Sequence, residues 1–383
     1  MISRRPILEE KWADAFGVVM NCRRKRAAEQ HRLTCYNGIM PTHDPAVLRP
    51  FDAALNRARE GLRVVEDYLR FGCDDAHLTR IAKELRHGLA EAVKGIDPAH
   101  LAACRETQQD VGVTITTSAE GERASLHAVA IANLKRVQEA LRSLEEVGKT
   151  ISPTLGGAME ALRYRSYTLE KAVLTLDASL QRLEHARLYV LIDGSGDFSR
   201  RVETLVPAGA DVLQLRDKTL DDRTLLARAT ELVRLTRGTN TLAIINDRAD
   251  IAAAANADGV HVGQDELPVH TVRKIVGPGK LIGVSTHNIA QARAAVLDGA
   301  DYLGAGPVFP SPTKAFDAHA GTSYLREVAA EVRLPTFAIG GITLANLLQV
   351  LEAGATRVAV SSAVASAADP AAVVLELKSR LKS

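Results

Sequence analysis

The stretch VLQLRDKTLDDRTLLARATELVRLTRGTNTLAIINDR, residues 212–248, decides how the second half of the chain folds. A short apolar run (212–215) breaks into charged residues, a helix-length segment follows, and a second short apolar run (242–245) breaks into Asn246-Asp247-Arg248. That order predicts a strand, a crossover helix and a strand, the unit of a parallel sheet. The unit recurs on both sides: LYVLI (188–192) comes before it, and GVHV (259–262), LIGV (281–284), DYLGAG (301–306), TFAI (336–339) and RVAV (357–360) come after it. Eight strands in the 196 residues 188–383, each followed by a helix-length segment, predict a compact (β/α)8 TIM barrel. A doubly wound sheet would not place polar residues at the end of nearly every strand, and Gly194 and Gly196 form no GxGxxG.

Upstream, residues 46–180 read as helix throughout. Asp44 suits an N-cap, and Leu48, Phe51, Leu55, Ala58, Leu62, Val65 and Leu69 then recur at helical spacing. Further stripes run through Leu78, Ile81, Leu85, Leu89 and Val93, through Val137, Leu141, Leu144 and Val147, and through Met159, Leu162 and Leu169 towards Leu183. Four long amphipathic helices imply a bundle, with a polar loop at 105–121. The expected class is therefore α plus α/β: an extension over 1–45, a helical bundle over 46–180 and a barrel over 186–383, each half with its own core and no apolar seam in the linker near 178–187. Residues 1–45 hold CRRKR at 22–26 and Trp12 and read as a poorly ordered extension, with Met40 a candidate internal start.

Composition narrows the function classes. A formal charge of +2 without a basic stripe gives no footprint for nucleic acid. No apolar run approaches the ~20 residues that span a bilayer, and the N-terminus lacks the apolar core of a signal peptide. Four cysteines without a CxxC suggest free thiols in a cytoplasmic protein.

In a barrel of this kind the C-terminal strand ends line the active site. Gln214, Arg216 and Lys218 alternate to one side after strand 2; Asn246-Asp247-Arg248 follow strand 3; His261 lies in strand 4, before Gly263-Gln264-Asp265-Glu266. Ser285 and His287 end strand 5, GAGPVFPSPTK (304–314) follows strand 6 with Ser311, Thr313 and Lys314, and Gly340-Gly341 and Ser361-Ser362 follow strands 7 and 8. The last two turns suit a phosphate held by backbone N–H groups, while Arg216, Lys218 and Lys314 exceed what one phosphate needs. Two phosphorylated groups follow, with Mg²⁺ on Asp247 and either Asp265 or Glu266. Taken singly, Asp247 would also serve as a helix cap, His261 as a core residue, and His287 with Asn288 as a helix start.

QLRDK, INDR, DGVHVGQDELP, GVSTH, GAGPVFPSPTK, AIGGI and VAVSSAV resemble thiamine-phosphate synthase over essentially all of 188–383. The resemblance implies a transferase that joins hydroxymethylpyrimidine diphosphate to thiazole phosphate, giving thiamine monophosphate and pyrophosphate. Carried over position by position, Gln214, Arg216, Lys218, Asn246 and Lys314 would contact the pyrimidine diphosphate, and Ser285 would sit beside the pyrimidine and diphosphate. Asp247 would bind Mg²⁺, Ser311 and Thr313 would approach the thiazole, and Gly341, Ser361 and Ser362 would hold its phosphate. Arg216, Lys218, Ser285 and Lys314 are the candidate catalytic groups. The family's second metal carboxylate aligns with Glu266, where an Asp is usual. A thiazole tautomerase-like relative fits the paired cations, Asp247 and PSPTK less well.

The helical segment has an internal echo: AALNRAREGLRVVED (53–67) matches ANLKRVQEALRSLEE (132–146) at seven of fifteen positions, 79 residues apart. Asn56, Glu60, Arg63, Asp67 and Arg70 share a helix face, as do Lys135, Glu139, Arg142 and Glu146. These are two catalytic stripes or two solvated faces laced by i,i+4 pairs. With RETQQDVG and LRYRSYTLEKA, the segment resembles the small helical domain fused ahead of thiamine-phosphate synthases and associated with hydroxymethylpyrimidine-phosphate kinase activity. That implies ATP as co-substrate and site candidates Asn56, Arg57, Arg59, Glu60, Arg63, Glu66, Asp67, Arg105, Asp110, Gly112, Asn133 and Lys135. No GxxxxGK[ST] supports ATP binding independently, so a purely dimerising or regulatory bundle is the alternative. The expected partners are the phosphorylated small molecules, with no nucleic acid and no membrane; a homo-oligomer is compatible with the sequence.

Overall fold

The computed structural model describes residues 44–106, 123–310 and 320–381. Ser311, Thr313, Lys314, Asp110, Gly112 and the basic run at 22–26 lie outside the described residues. In the helical part α1 (Pro45–Asp67) starts directly after Asp44 and passes into a π-helical turn, Tyr68–Gly72. It is followed by α2 (Ala76–Ala92), the short α3 (Pro98–Ala103), α4 (Leu126–Ile151) and α5 (Pro153–Arg182). Side-chain caps set the starts: Asp75 accepts from the Leu78 N–H, Ser125 from Ala128 and Ser152 from Leu155. The stripe from Leu48 to Leu69 is buried as its spacing predicts. Helix α1 packs on α4 and α2 on α5, so the sequence echo lies in two helical hairpins packed together. The approach is close at Gly61, where an added Cβ would lie 2.7 Å from Val137 Cγ2.

The barrel strands are β1 (Leu188–Ile192), β2 (Val212–Leu215), β3 (Leu242–Asn246), β4 (Gly259–Val262), β5 (Leu281–Thr286), β6 (Tyr302–Ala305), β7 (Thr336–Ile339) and β8 (Val358–Val360). They pair in parallel in chain order, and β8 returns to β1 to close the barrel. Outer helices follow the strands: α6 (Phe198–Leu205), α7 (Asp222–Thr236), α8 (Ala249–Ala254), α9 (Val269–Val276), α10 (Ile289–Asp298), α11 (Gly321–Glu331), α12 (Leu347–Glu352), α13 (Ser362–Ala365) and finally α14 (Pro370–Arg380). Tyr189, Val212, Ile244, Leu281, Tyr302, Phe337 and Ala359 form an apolar cluster inside the ring, so the barrel is a packed core beneath its active end.

The linker departs from the sequence expectation. Helix α5 runs to Arg182, and the connection that remains carries Leu183 and Ala186, both buried in the cluster inside the barrel. Leu183 ends a helical stripe in the sequence, and periodicity alone does not say which neighbour a terminal apolar residue serves. Bundle and barrel also meet through polar contacts. Glu331 accepts from Arg80 of α2 at 3.4 Å and from Arg293 of α10 at 2.6–2.9 Å. The Arg333 N–H donates to Asp75, the carboxylate that caps α2, at 3.0 Å. Residues 45–383 form one compact unit.

Candidate active site

The C-terminal strand ends surround a cavity of about 460 Å³. Every described barrel residue proposed from the sequence lines it: Gln214, Arg216, Lys218, Asn246, Asp247, Asp265, Glu266, Ser285, Gly341, Ser361 and Ser362. The alternation after β2 separates roles as read. Asp217 points away and accepts the Gly194 N–H at 3.1 Å, pinning the neighbouring loop. Arg248 is likewise held outside the cavity, by Asp222 and Asp250.

The carboxylates converge on one cation. Lys218 Nζ lies 3.2 Å from Asp247 Oδ2 and 3.8 Å from Glu266 Oε1. Asp247 does not cap α8: Arg248 holds the N-cap position, without a side-chain cap bond, and the Asp247 carboxylate is paired with Lys218 instead. Asp247 adopts a left-handed φ of 60°, a conformation that costs a non-glycine residue on the order of 1–3 kcal/mol and gathers at functional sites. Its N–H donates to the His261 carbonyl at 2.8 Å, which fixes the side chain at the strand end. Glu266 shares the Lys218 ammonium with Asp247, whereas Asp265 is exposed. Between the two alternatives left open by the sequence, the geometry pairs Glu266 with Asp247. Among the described residues no three His, Cys, Asp or Glu side chains gather to cage a metal ion. Two carboxylates with space beside them suit a hard cation such as Mg²⁺, which takes its other ligands from water and phosphate.

The turn after β7 is built for backbone exposure. Gly340 and Gly341 have φ of 102° and 61°, and a Cβ on Gly341 would lie 2.4 Å from the Pro310 carbonyl oxygen. Asn346 locks this turn, donating to the Gly341 carbonyl and accepting the Thr343 N–H, each at 2.8 Å.

Two tyrosines are absent from the sequence reading of the site. Tyr189 and Tyr302 read as apolar strand residues, yet their hydroxyls lie 3.1 Å apart in the barrel interior. A tyrosine in a buried strand needs a hydroxyl partner, and that was the available signal. Gln264 donates to the Ser285 carbonyl at 2.6 Å. His261 is both a packed residue and a site residue: its ring bonds Ser285 and Tyr302, and burial, with Arg216 adding to it against Asp247, holds its pKa down to about 4. His287 bonds the Gly306 carbonyl, and Asn288 caps α10.

In the bundle the echo extends to ion pairs. Arg63 pairs with Glu66 and Asp67 of its own helix, as Arg142 does with Glu145 and Glu146. Each buried glutamate also takes an arginine Nε from the partner helix at 2.8 Å, Arg86 for Glu66 and Arg163 for Glu145. Lys135 pairs with Glu170, and Arg105 with buried Asp52. Asn56, Arg57, Arg59, Glu60 and Asn133 lie on the paired helices α1 and α4, with Arg57, Arg59 and Glu60 exposed.

Fold and site together define a phosphate-handling (β/α)8-barrel enzyme preceded by a helical bundle. A family model described as thiamine monophosphate synthase matches residues 188–364, and one described as the ThiD2 family matches residues 49–172. Thiamine-phosphate synthase of Rhodopirellula baltica is 46% identical over 331 residues, covering 83% of this chain and 88% of that protein. The thiamine-phosphate synthase of Thermosynechococcus vestitus is 44% identical over 335 residues, covering 87% of this chain and 94% of the relative. Among solved structures, thiamine phosphate pyrophosphorylase from Pyrococcus furiosus is 33% identical with a TM-score of 0.48, covering 53% of this chain and 98% of that one. The chain belongs to the thiamine-phosphate synthase family. No described helix is long and apolar enough to cross a membrane.

Proposed function

We propose that the barrel condenses hydroxymethylpyrimidine diphosphate with thiazole phosphate to thiamine monophosphate and pyrophosphate, and that the bundle phosphorylates the pyrimidine monophosphate with ATP. The carrying observation is the convergence of Asp247 and Glu266 on one cation position, beside Arg216, in a cavity of about 460 Å³. That size suits two small ligands held together. Heterolysis of the methylene–oxygen bond sends its electron pair to the leaving diphosphate. The resulting pyrimidine-stabilised cation is captured by the lone pair of the thiazole nitrogen. Such a step needs fixed positive charge where negative charge grows, and each such group is worth roughly 3–4 kcal/mol. Arg216 and Lys218 supply it, with Lys314 assigned to the same diphosphate by resemblance. Asp247 and Glu266 would hold Mg²⁺, which neutralises diphosphate oxygens when bound. Gln214, Asn246 and Ser285 would orient the pyrimidine end, and Ser311 and Thr313 the thiazole. Gly341, Ser361 and Ser362 would grip the thiazole phosphate as a remote handle that sets the attack geometry. A cytoplasmic location belongs to this reading.

Incubation of the purified chain with the pyrimidine diphosphate, thiazole phosphate and Mg²⁺ tests the barrel half. Thiamine monophosphate and pyrophosphate in equal amounts are expected. Pyrophosphate released without coupled product, or no turnover, contradicts it.

A second reading has an observation in its favour. Arg63 and Arg142 pair with acids of their own helices, as solvated faces do, and bundle residues Arg80 and Asp75 brace the barrel. On that reading the bundle is a structural partner without kinase activity.

A further inference from the structure

Under the cavity floor, side chains from five strands form one hydrogen-bonded chain. Gln214 Nε2 of β2 donates to the Tyr189 hydroxyl of β1 at 2.7 Å. The Tyr189 hydroxyl lies 3.1 Å from that of Tyr302 on β6. The Tyr302 hydroxyl lies 3.3 Å from His261 Nδ1 on β4, and His261 Nε2 lies 2.9 Å from Ser285 Oγ on β5. The two tyrosines and Gln214 are at most 2% exposed, whereas Ser285 reaches the cavity wall.

The chain has a direction. An amide nitrogen only donates, so the Tyr189 oxygen accepts from Gln214 and its own proton turns to Tyr302. Tyr302 then donates to Nδ1, which must be the bare nitrogen of the ring. The ring proton therefore sits on Nε2 and is given to Ser285 Oγ. With its oxygen already accepting, Ser285 has its own proton free for the cavity. If Gln214 turned its oxygen to Tyr189, every bond would reverse. His261 would carry its proton on Nδ1, and Ser285 would spend its proton on Nε2 and present lone pairs to the substrate. The ring tautomer thus reports which way the serine faces.

Room for this chain is built into the neighbouring strands. A Cβ on Gly283 would lie 2.1 Å from the Tyr302 ring and 2.4 Å from His261 Nδ1, and a Cβ on Gly304 would lie 3.1 Å from His261 Cε1. The Tyr302 ring is packed by Tyr189 and Phe337, at centroid distances of 6.0 and 5.7 Å. Its hydroxyl is thereby held over the imidazole rather than free to turn.

We propose that Tyr302 and His261 are positioning residues that fix the Ser285 hydroxyl as a hydrogen-bond donor to the leaving diphosphate of the pyrimidine substrate. The inference rests on the synthase reading of the barrel. It requires no net proton transfer: the methylene–oxygen bond breaks with its electron pair going to the diphosphate, the carbon–nitrogen bond forms from the thiazole lone pair, and Ser285 remains protonated throughout. Its contribution is orientation, gained as negative charge grows on the oxygen it faces, so it acts on kcat more than on KM.

The test combines a tautomer measurement with a double-variant cycle on the full chain. Nitrogen-15 NMR of histidine-labelled protein, with His261 assigned by its loss in His261→Gln, is expected to show a protonated Nε2 and a bare Nδ1. Tyr302→Phe should erase that bias and lower kcat about tenfold, the scale of one hydrogen bond, with KM for the pyrimidine diphosphate changed less than about twofold. Ser285→Ala should lower kcat at least as far, and adding Tyr302→Phe to it should cost less than about a further twofold. Tyr189→Phe, one link further away, should move the tautomer in the same direction and guards against a Tyr302 variant that folds poorly. A wild-type ring protonated on Nδ1, or Tyr302→Phe and Ser285→Ala losses that multiply in full, overturns the proposal. An inactive wild-type chain with the Nε2 tautomer would instead overturn the synthase reading, because the tautomer is read without turnover.

Discussion

At the scale of single residues, charge placement carries the account. Arg216 is half-buried on the cavity wall without an ion-pair partner among the described residues, so its removal takes away catalysis and little packing. Arg216→Ala should lower kcat/KM for the pyrimidine diphosphate by about a hundredfold with an unchanged circular dichroism spectrum; near-normal turnover would misplace the diphosphate. The carboxylates separate by position. Asp247→Asn and Glu266→Gln should each raise the Mg²⁺ concentration for half-maximal activity by about tenfold, the effect of losing roughly 1.4 kcal/mol of binding. Asp265→Asn, on an exposed side chain, should leave the Mg²⁺ titration where it is. A shift with Asp265→Asn and none with Glu266→Gln would reverse the assignment. Most of this site was legible in the sequence because a parallel barrel sends alternate residues at each strand end to one place. Polar letters after apolar runs therefore mark the cavity without knowledge of contacts. Illegible were the bonds between strands, such as Tyr189 to Tyr302, since a separation of 113 positions in the chain hides which hydroxyl meets which.

Among the elements, the strands and long helices fall where periodicity put them, because each buries a regular face. The runs 188–192, 212–215, 259–262 and 336–339 are the strands β1, β2, β4 and β7 without adjustment. The short α3 and the π-helical turn at Tyr68–Gly72 were not legible, since a single turn has too few residues to show a period. The linker was misread for a different reason: Leu183 belongs by spacing to α5 but by burial to the barrel floor. Leu183→Ala in the full chain should therefore cost about 3 kcal/mol, read as a lower urea midpoint for a probe in the barrel, such as hydrogen exchange of the barrel-strand amides. A midpoint unchanged in the barrel would mean that Leu183 only ends the helix.

For the whole molecule, the question is what joins bundle to barrel. Asp75 caps α2 with one oxygen and takes the Arg333 N–H with the other, so a single carboxylate serves both parts. Asp75→Ala should remove a cap worth about 1 kcal/mol and loosen the joint. Calorimetry is expected to show a lowered bundle transition that separates from that of the barrel; coincident, unshifted transitions would mean that the joint rests on apolar packing alone. The central claim is that one chain carries two consecutive steps. It is tested most directly by giving the purified full chain pyrimidine monophosphate, ATP, thiazole phosphate and Mg²⁺, with no other enzyme, and following thiamine monophosphate. The account predicts product that depends on ATP and appears after a lag as the diphosphate accumulates. Product from the preformed diphosphate but none from the monophosphate and ATP would contradict it, leaving the bundle as a structural partner of a single-step barrel.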